Sequence, residues 1–250
     1  MRKDEKAITT KKEALQVINQ GGMRIRRVFP TPYFSPIDPF LVLDHFSIQK
    51  PSGFPTHPHG GFEIITYMLE GALAHKDSTG QDGIVETGGL QRITAGKGVE
   101  HSEFPAREGV NQGLQLWINL PRQYKNIDPG YQDVSPEEVP VEETEGIRVK
   151  TLVGENSPVR LHQPIQYFDV SVAAGQTYSH TIPDGYQGLL YILEGEGRFN
   201  DVLEVAPYEA VPFEPGTSQI TLATSKGVRF VLLAGEPIGE KPKFRGGFVD

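Results

Sequence analysis

The sequence predicts an all-β protein made of two similar halves, and three observations support this expectation. The chain of 250 residues contains 28 glycines and 20 prolines, a supply of turn formers that suits many short strands better than long helices. Short runs rich in β-branched and aromatic residues alternate with polar turn segments along most of the chain. The segment Tyr67–Gly71 also recurs as Tyr191–Gly195 with a single Met-to-Ile difference, which indicates an internal repeat.

The composition excludes several classes of function. Twenty-four basic and 32 acidic residues give a formal net charge of -8, which argues against nucleic acid or an anionic membrane as the main partner. The chain has no cysteine, so disulfide bonds and thiolate ligands are impossible and any metal ion must be bound through nitrogen and oxygen. We see no apolar run long enough to span a membrane and no secretion signal in the polar N-terminus, and we therefore expect a cytoplasmic protein.

The first half is expected to comprise a charged segment, residues 1–22, and a β domain, residues 23–121. The stretch Thr10–Glu13 has the form of a helix capping box and predicts a short helix that is stopped by Gly21 and Gly22. From Met23 onward apolar and polar residues alternate as in a strand, and further strands are expected around Leu43, Thr66 and Trp117.

Residues 122–146 separate the halves and are expected to form an acidic, proline-rich linker. Their low apolar content is accompanied by three prolines and five glutamates, namely Pro129, Pro136, Pro140, Glu137, Glu138, Glu142, Glu143 and Glu145. Alternation then resumes, so we expect a second β domain over residues 147–250.

Two pairs of ligand-type residues stand out in the first half: His57 with His59, and His101 with Glu103. Residues i and i+2 of an extended chain project from the same face, so each pair presents its two side chains together. Two such strands facing each other would form a metal site of three imidazoles and one carboxylate.

The repeat indicates that only the first half carries these ligands. The repeated segments are offset by 124 residues, from 67 to 191, and the turn glycines Gly96 and Gly216 are offset by 120. On these offsets the four ligand positions correspond to Thr181, Pro183, Thr221 and Ala223. We therefore expect a second domain that repeats the architecture without the metal ligands, in which His180, like His162 before it, is structural.

The ordered motifs of this chain resemble those of the pirin family. The resemblance runs from about Gly22 to Phe248 and rests on Asp38–Leu41, Phe54–Pro55, His57–His59, Gly61–Glu63, Tyr67–Gly71, His75–Gly80, Thr94–Gly98, His101–Glu103, Gly113–Leu120 and Ala234–Ile238. It implies two stacked cupin barrels of jelly-roll type, a bicupin, with a mononuclear non-haem iron site in the first barrel. It also places the ligands on His57, His59, His101 and Glu103.

The sequence departs from the family pattern at three positions near the expected cavity. Gly60 stands where an arginine is common, and Gly89 and Arg92 replace the usual Asp and Trp. These differences bear on the identity of the substrate.

Glu63 is the competing carboxylate, because typical cupins take their acidic ligand from the first motif. Relative to Gly71, Glu63 stands one residue too early, so strand alternation turns it away from a site that Ile64 would face. We therefore assign Glu103 as the ligand and as the base that takes up a substrate proton. Glu63, His45 and Gln115 are the candidates for groups that support the ligands.

The family implies iron as the single divalent ion, whereas a donor set of nitrogen and oxygen also tolerates Mn, Co, Ni, Cu or Zn. Family members include quercetin 2,3-dioxygenases, so the expected activity is cleavage of a flavonol heterocycle by O2. Two alternatives stay open: a metal-binding regulatory or interaction protein, and a cupin enzyme with a non-flavonoid substrate. A basic strand with Arg24, Arg26 and Arg27 and the acidic linker are the features that favour a protein partner. We expect no direct binding to nucleic acid or membrane, and a monomer.

Overall fold

The computed structural model describes residues 10–250 and shows an almost entirely β protein, as the sequence predicts. The strands of the first half are β1 (Lys12–Glu13), β2 (Leu15–Gln20), β3 (Met23–Phe29), β4 (Phe40–Ile48), β5 (Phe54–His59), β6 (Phe62–Glu70), β7 (Ala72–Asp77), β8 (Asp82–Glu86), β9 (Leu90–Thr94), β10 (Val99–Pro105), β11 (Asn111–Asn119) and β12 (Gly130–Val134). The later strands are β13 (Val141–Thr144), β14 (Ile147–Val153), β15 (Ile165–Val172), β16 (Thr177–Thr181), β17 (Gln187–Gly195), β18 (Gly197–Phe199), β19 (Leu203–Val205), β20 (Glu209–Phe213), β21 (Gln219–Ala223), β22 (Val228–Gly235), β23 (Phe244–Arg245) and β24 (Phe248–Val249). Within residues 10–250 the helical content is one 3-10 turn, Arg122–Tyr124, and no helix there has the length and apolarity to cross a membrane.

The chain divides into two compact units, each assembled from separate segments. The N-terminal unit consists of residues 15–139, 158–163 and 238–250. The C-terminal unit consists of residues 140–157 and 164–237 together with the described residues up to Ala14. The sequence instead predicts contiguous domains. The segment expected to be a linker contains β12, which belongs to the N-terminal unit, and β13, which belongs to the C-terminal unit.

The internal repeat is visible in the strand order of the two units. The N-terminal unit has a seven-stranded sheet, β12-β9-β6-β11-β4-β3-β2, and a four-stranded sheet, β5-β10-β7-β8. The C-terminal unit has the matching sheets β1-β20-β17-β22-β15-β14-β13 and β16-β21-β18-β19. The repeated segments found in the sequence are the equivalent strands β6 and β17 near the middle of the larger sheets.

The predicted helix near the N-terminus is wrong, because the residues there form strands β1 and β2. Gly21 and Gly22 adopt φ values of 59° and 81°, and two consecutive residues with positive φ make the tight turn that joins antiparallel strands β2 and β3. Strand β1 pairs with β20 and occupies the sheet position that β12 holds in the other unit. Backbone pairing with distant strands therefore overrides the local capping pattern.

Both units contain clusters of buried apolar side chains. In the C-terminal unit one continuous cluster extends from Val170 to Ala234 and includes Leu190, Phe199 and Phe230. In the N-terminal unit one cluster of buried apolar side chains surrounds Phe62 and Ile64, and another surrounds Phe46 and Met68. The buried His59 contacts Phe62 of the first cluster, and the half-buried His57 lies beside Phe54, which packs against the second cluster.

Candidate metal centre

The smaller sheet of the N-terminal unit brings the two predicted ligand pairs together. In its order β5-β10-β7-β8, His101 lies directly opposite His57 on one side and Asp77 on the other. Burial alternates along β10, so that His101 and Glu103 are buried while Glu100 is exposed. The spacing of the residues places each pair on one face of its strand but does not show that the two strands are neighbours. The pairing of β5 with β10 brings them together.

The three predicted histidine ligands form a compact cluster. The Nε2 atoms of His57 and His101 lie 3.0 Å apart. The ring centroids are 4.6 Å apart for His57 and His59, 4.4 Å for His57 and His101, and 4.9 Å for His59 and His101. One ligand nitrogen from each residue lies within 4.8 Å of those of the other two, a spacing at which the three nitrogens can bind one ion.

The surroundings of His59 and His101 favour the neutral form of both imidazoles. Burial, with a contribution from neighbouring imidazoles, lowers the pKa of both His59 and His101 to about 3. His57 Nδ1 donates to the carbonyl oxygen of Pro55 at 2.8 Å, and His59 Nδ1 lies 3.4 Å from the carbonyl oxygen of Gly247. His59 Nε2 is buried and has no hydrogen-bond partner within the described part of the chain. A backbone acceptor on Nδ1 with a bare Nε2 is the arrangement found in histidine ligands of metals.

Glu103 lies in the same buried region and is held by the neighbouring sheet. Gln115 Nε2 donates to its two carboxylate oxygens at 3.1 and 3.0 Å, and Trp117 Nε1 donates to Gln115 Oε1 at 3.3 Å. The Trp117 ring stacks on Phe62 at 4.3 Å and lies 4.8 Å from the ring of His59. Gln115, which the sequence suggests as a supporting residue, therefore contacts this carboxylate directly.

His75 is a member of the site that sequence reasoning missed. It lies opposite Glu103 in the pairing of β7 with β10, and His75, His101 and Glu103 form a second group of potential ligand atoms within 4.8 Å of one another. Its side chain is 0% exposed. The pair His75 and Asp77 has the same i, i+2 spacing as the two predicted pairs, and applying that criterion to every histidine would have found it.

The other two proposed supporting residues lie outside this cluster. The fully buried Glu63 accepts hydrogen bonds from Thr94 Oγ1 at 2.7 Å and from the backbone N and ring Nδ1 of His162 at 2.9 and 3.0 Å. His45 is buried beside Gln112, and burial, reinforced by the charge of Arg26, lowers its pKa to about 4. The hydrogen bonds from His162 to Glu63 join residues 158–163 to the seven-stranded sheet.

Strand β24 lies against Gly60 and leaves no room for a side chain at position 60. Gly60 N donates to Gly247 O at 3.1 Å, and Val249 N donates to Gly60 O at 2.9 Å. A Cβ atom on Gly60 would lie 2.6 Å from Phe248 Cδ1, so the phenyl ring occupies the space that an arginine stem needs. Gly247, the residue before β24, supplies the carbonyl next to His59 Nδ1 and so supports a candidate ligand.

Comparisons with known proteins agree with the fold. A family model described as Pirin matches residues 22–118, and one described as Pirin C-terminal cupin domain matches residues 167–250. A pirin-like protein of Solanum lycopersicum is 40% identical over 250 residues, which cover 97% of this chain and 86% of that protein.

Two solved structures extend this likeness to three dimensions. GK1651 from Geobacillus kaustophilus is 32% identical with a TM-score of 0.86, covering 94% of this chain and 98% of that one. Quercetin 2,3-dioxygenase from Acinetobacter baumannii is 27% identical with a TM-score of 0.88, covering 97% and 91%. The predicted cupin fold is confirmed, and the chain belongs to the pirin family.

Proposed function

We propose that this protein is a metal-dependent dioxygenase that cleaves the heterocycle of a flavonol such as quercetin with O2. The observation that carries the proposal is the compact cluster of the three imidazoles of His57, His59 and His101 beside the carboxylate of Glu103. The similarity to the quercetin 2,3-dioxygenase of Acinetobacter baumannii supports the choice of substrate class and reaction.

The residues present fit a divalent transition-metal ion. His57, His59 and His101 would bind it through nitrogen, and Glu103 would add one negative charge, leaving one net positive charge on a divalent ion. The buried, unpartnered His59 Nε2 is the atom whose hydrogen-bonding capacity an ion would satisfy. When bound, such an ion supplies Lewis-acid and one-electron chemistry toward the substrate oxygens and O2. We propose iron as the ion, while the same donors accept Mn, Co, Ni, Cu or Zn.

Glu103 is the residue that we propose to move the proton. Flavonol cleavage requires the 3-hydroxyl group to bind as its anion, and a carboxylate next to the bound hydroxyl can accept that proton. Gln115 keeps both oxygens of Glu103 in place through its amide hydrogens. The carboxylate is 1% exposed, so water competes little for the transferred proton.

Aromatic side chains pack beside the histidines. Trp117 and Phe62 stack on each other, and Phe62 lies 5.3 Å from the ring of His59. In the proposed reaction both oxygen atoms of O2 would enter the flavonol product and one ring carbon would leave with its oxygen as carbon monoxide. Water is not a reactant, so apolar rings beside the ligands suit this chemistry.

The proposal is tested with iron-loaded protein and quercetin under air and under argon. We expect loss of flavonol absorbance only under air, with one carbon monoxide released per flavonol. Glu103→Gln should lower the rate per bound iron by about 10²-fold or more, whereas His180→Gln, in the C-terminal unit, should leave it unchanged. Fully iron-loaded protein that consumes no flavonol under air would contradict the proposal.

The structure weakens the main sequence feature behind the regulatory alternative. Arg27, one of the three arginines of the basic strand, donates to the two carboxylate oxygens of Asp44 at 2.8 and 2.6 Å. This residue is engaged within its own sheet, which removes part of the basic surface that an acidic partner would require.

A further inference from the structure

We propose that His75, His101 and Glu103 form a second position for a divalent transition-metal ion, next to the three-histidine position and sharing two residues with it. The inference concerns metal binding alone and does not depend on flavonol turnover. Its basis is the group of three potential ligand atoms, one from each residue, that lie within 4.8 Å of one another.

The three side chains are held by two neighbouring strands. His101 and Glu103 project from β10, and His75 projects from β7 directly opposite Glu103. Counted over the whole residue, backbone included, exposure is 3% for His75 and 1% for each of the other two residues. Side chains on paired strands with this degree of burial have few alternative rotamers, so the group is largely preorganised for an ion.

The orientation of His75 leaves one nitrogen free to bind. Its Nε2 lies 3.4 Å from Asp77 Oδ2, and its ring stacks on Tyr131 at 5.1 Å. The other oxygen of Asp77 accepts hydrogen bonds from Thr79 N, Thr79 Oγ1 and Gln81 N at 2.8, 2.7 and 3.1 Å. Asp77 is therefore fixed as a carboxylate that accepts from Nε2, which leaves a lone pair on Nδ1.

His75 Nδ1 is buried and has no hydrogen-bond partner among the described residues. An unpartnered buried nitrogen destabilises the metal-free protein, and a bound ion removes this penalty. Carboxylate, imidazole and ion in series is the arrangement that orients histidine ligands in metalloproteins.

The shared residues have donor atoms for both positions. His101 directs Nε2 toward His57, and its Nδ1 is buried without a partner in the described chain. Glu103 has two carboxylate oxygens. Because one imidazole can bind through both nitrogens only by losing its proton, the two positions compete, and we expect one ion per chain at neutral pH.

The donor composition of the second position differs from that of the first. Two imidazoles and one carboxylate are the set found in mononuclear non-haem Fe(II) sites and in several zinc enzymes. The first position offers three imidazoles before any carboxylate is added. A single ion can thus pass from the first position to the second by exchanging the imidazoles of His57 and His59 for that of His75 within the N-terminal unit.

The test removes the first position and asks whether an ion still binds. His57 and His59 are replaced together, in one double variant by Ala and in a second by Gln. Each double variant that retains the native circular dichroism spectrum is titrated with Co²⁺ by equilibrium dialysis, and the bound metal is measured. We expect one Co²⁺ per chain. Adding His75→Gln should weaken binding by more than about tenfold, since even outer partners of ligands are worth that much.

His45→Gln in the same background is the matched control, because His45 is a buried histidine of the same unit outside both ligand groups. It should leave the affinity for Co²⁺ unchanged. The proposal is overturned if the double variants bind no Co²⁺ above the level of a metal-free blank, or if His75→Gln and His45→Gln have the same effect. Quercetin is absent from the experiment, so a failure of the proposed oxygenase activity would not alter its outcome.

Discussion

Replacing the two buried glutamates one at a time should distinguish the residue that binds metal from the residue that stabilises the fold. Glu63 is 0% exposed and accepts three hydrogen bonds, from Thr94 Oγ1 and from two nitrogens of His162, whereas Glu103 lies within the ligand cluster. Glu63→Leu should therefore destabilise the N-terminal unit with no loss of bound metal. Glu103→Gln should weaken metal binding by at least about tenfold with little effect on the stability of the metal-free protein.

The size of the Glu63 effect follows from its contacts. Each hydrogen bond to a charged group contributes roughly 1.5 to 3 kcal/mol. The His162 ring is 37% exposed and can turn to water, so we count only the bonds from His162 N and Thr94, about 3 to 6 kcal/mol. Burying an apolar side chain of similar size returns roughly 1.5 to 3 kcal/mol, which leaves a net loss of about 1.5 to 3 kcal/mol.

Urea unfolding followed by tryptophan fluorescence measures this loss, because the chain has one tryptophan, Trp117, and it lies in the N-terminal unit. Metal content after dialysis is determined on the same preparations. Two results would refute the reasoning: a loss below about 1 kcal/mol for Glu63→Leu, or metal that survives Glu103→Gln and is lost in Glu63→Leu.

Two further predictions concern the C-terminal strand and the dependence of stability on pH. Gly60→Arg should destabilise the N-terminal unit by about 1 to 3 kcal/mol, because its Cβ would lie 2.6 Å from the Phe248 ring; Phe248→Ala should recover most of the loss in a thermal melt, and no recovery would argue against this contact. His45 has a pKa lowered from 6.5 to about 4, so the unfolded chain takes up a proton as the pH falls below 6.5 while the folded chain does not. Stability should therefore fall by about 3 kcal/mol between pH 7 and pH 4 on account of this residue. His45→Gln should reduce the pH dependence of urea unfolding by that amount, and an unchanged slope would contradict the assignment.

The fold class and the repeat could be predicted from the sequence because both depend on local patterns. Alternation with period two and frequent turn formers are properties of neighbouring residues, and a repeated segment is found by comparing two stretches of sequence. None of these requires tertiary information. The N-terminal residues could not be placed in the same way. Their capping pattern indicates a helix, and only the pairing of β1 with β20 and of β2 with β3 shows that they are strands.

The sequence by itself determined that His57 with His59 and His101 with Glu103 present their side chains in pairs, because alternation along a strand is a property of the backbone. It also determined that the second half lacks such pairs. The tertiary structure decided which strands are neighbours, and the order β5-β10-β7 brings a third pair, His75 with Asp77, against the predicted two. The tertiary structure also determines that Glu63 accepts hydrogen bonds from Thr94 and His162. These contacts join residues far apart in the chain, and the backbone pairing that creates them depends on the whole sheet, not on any local run of residues.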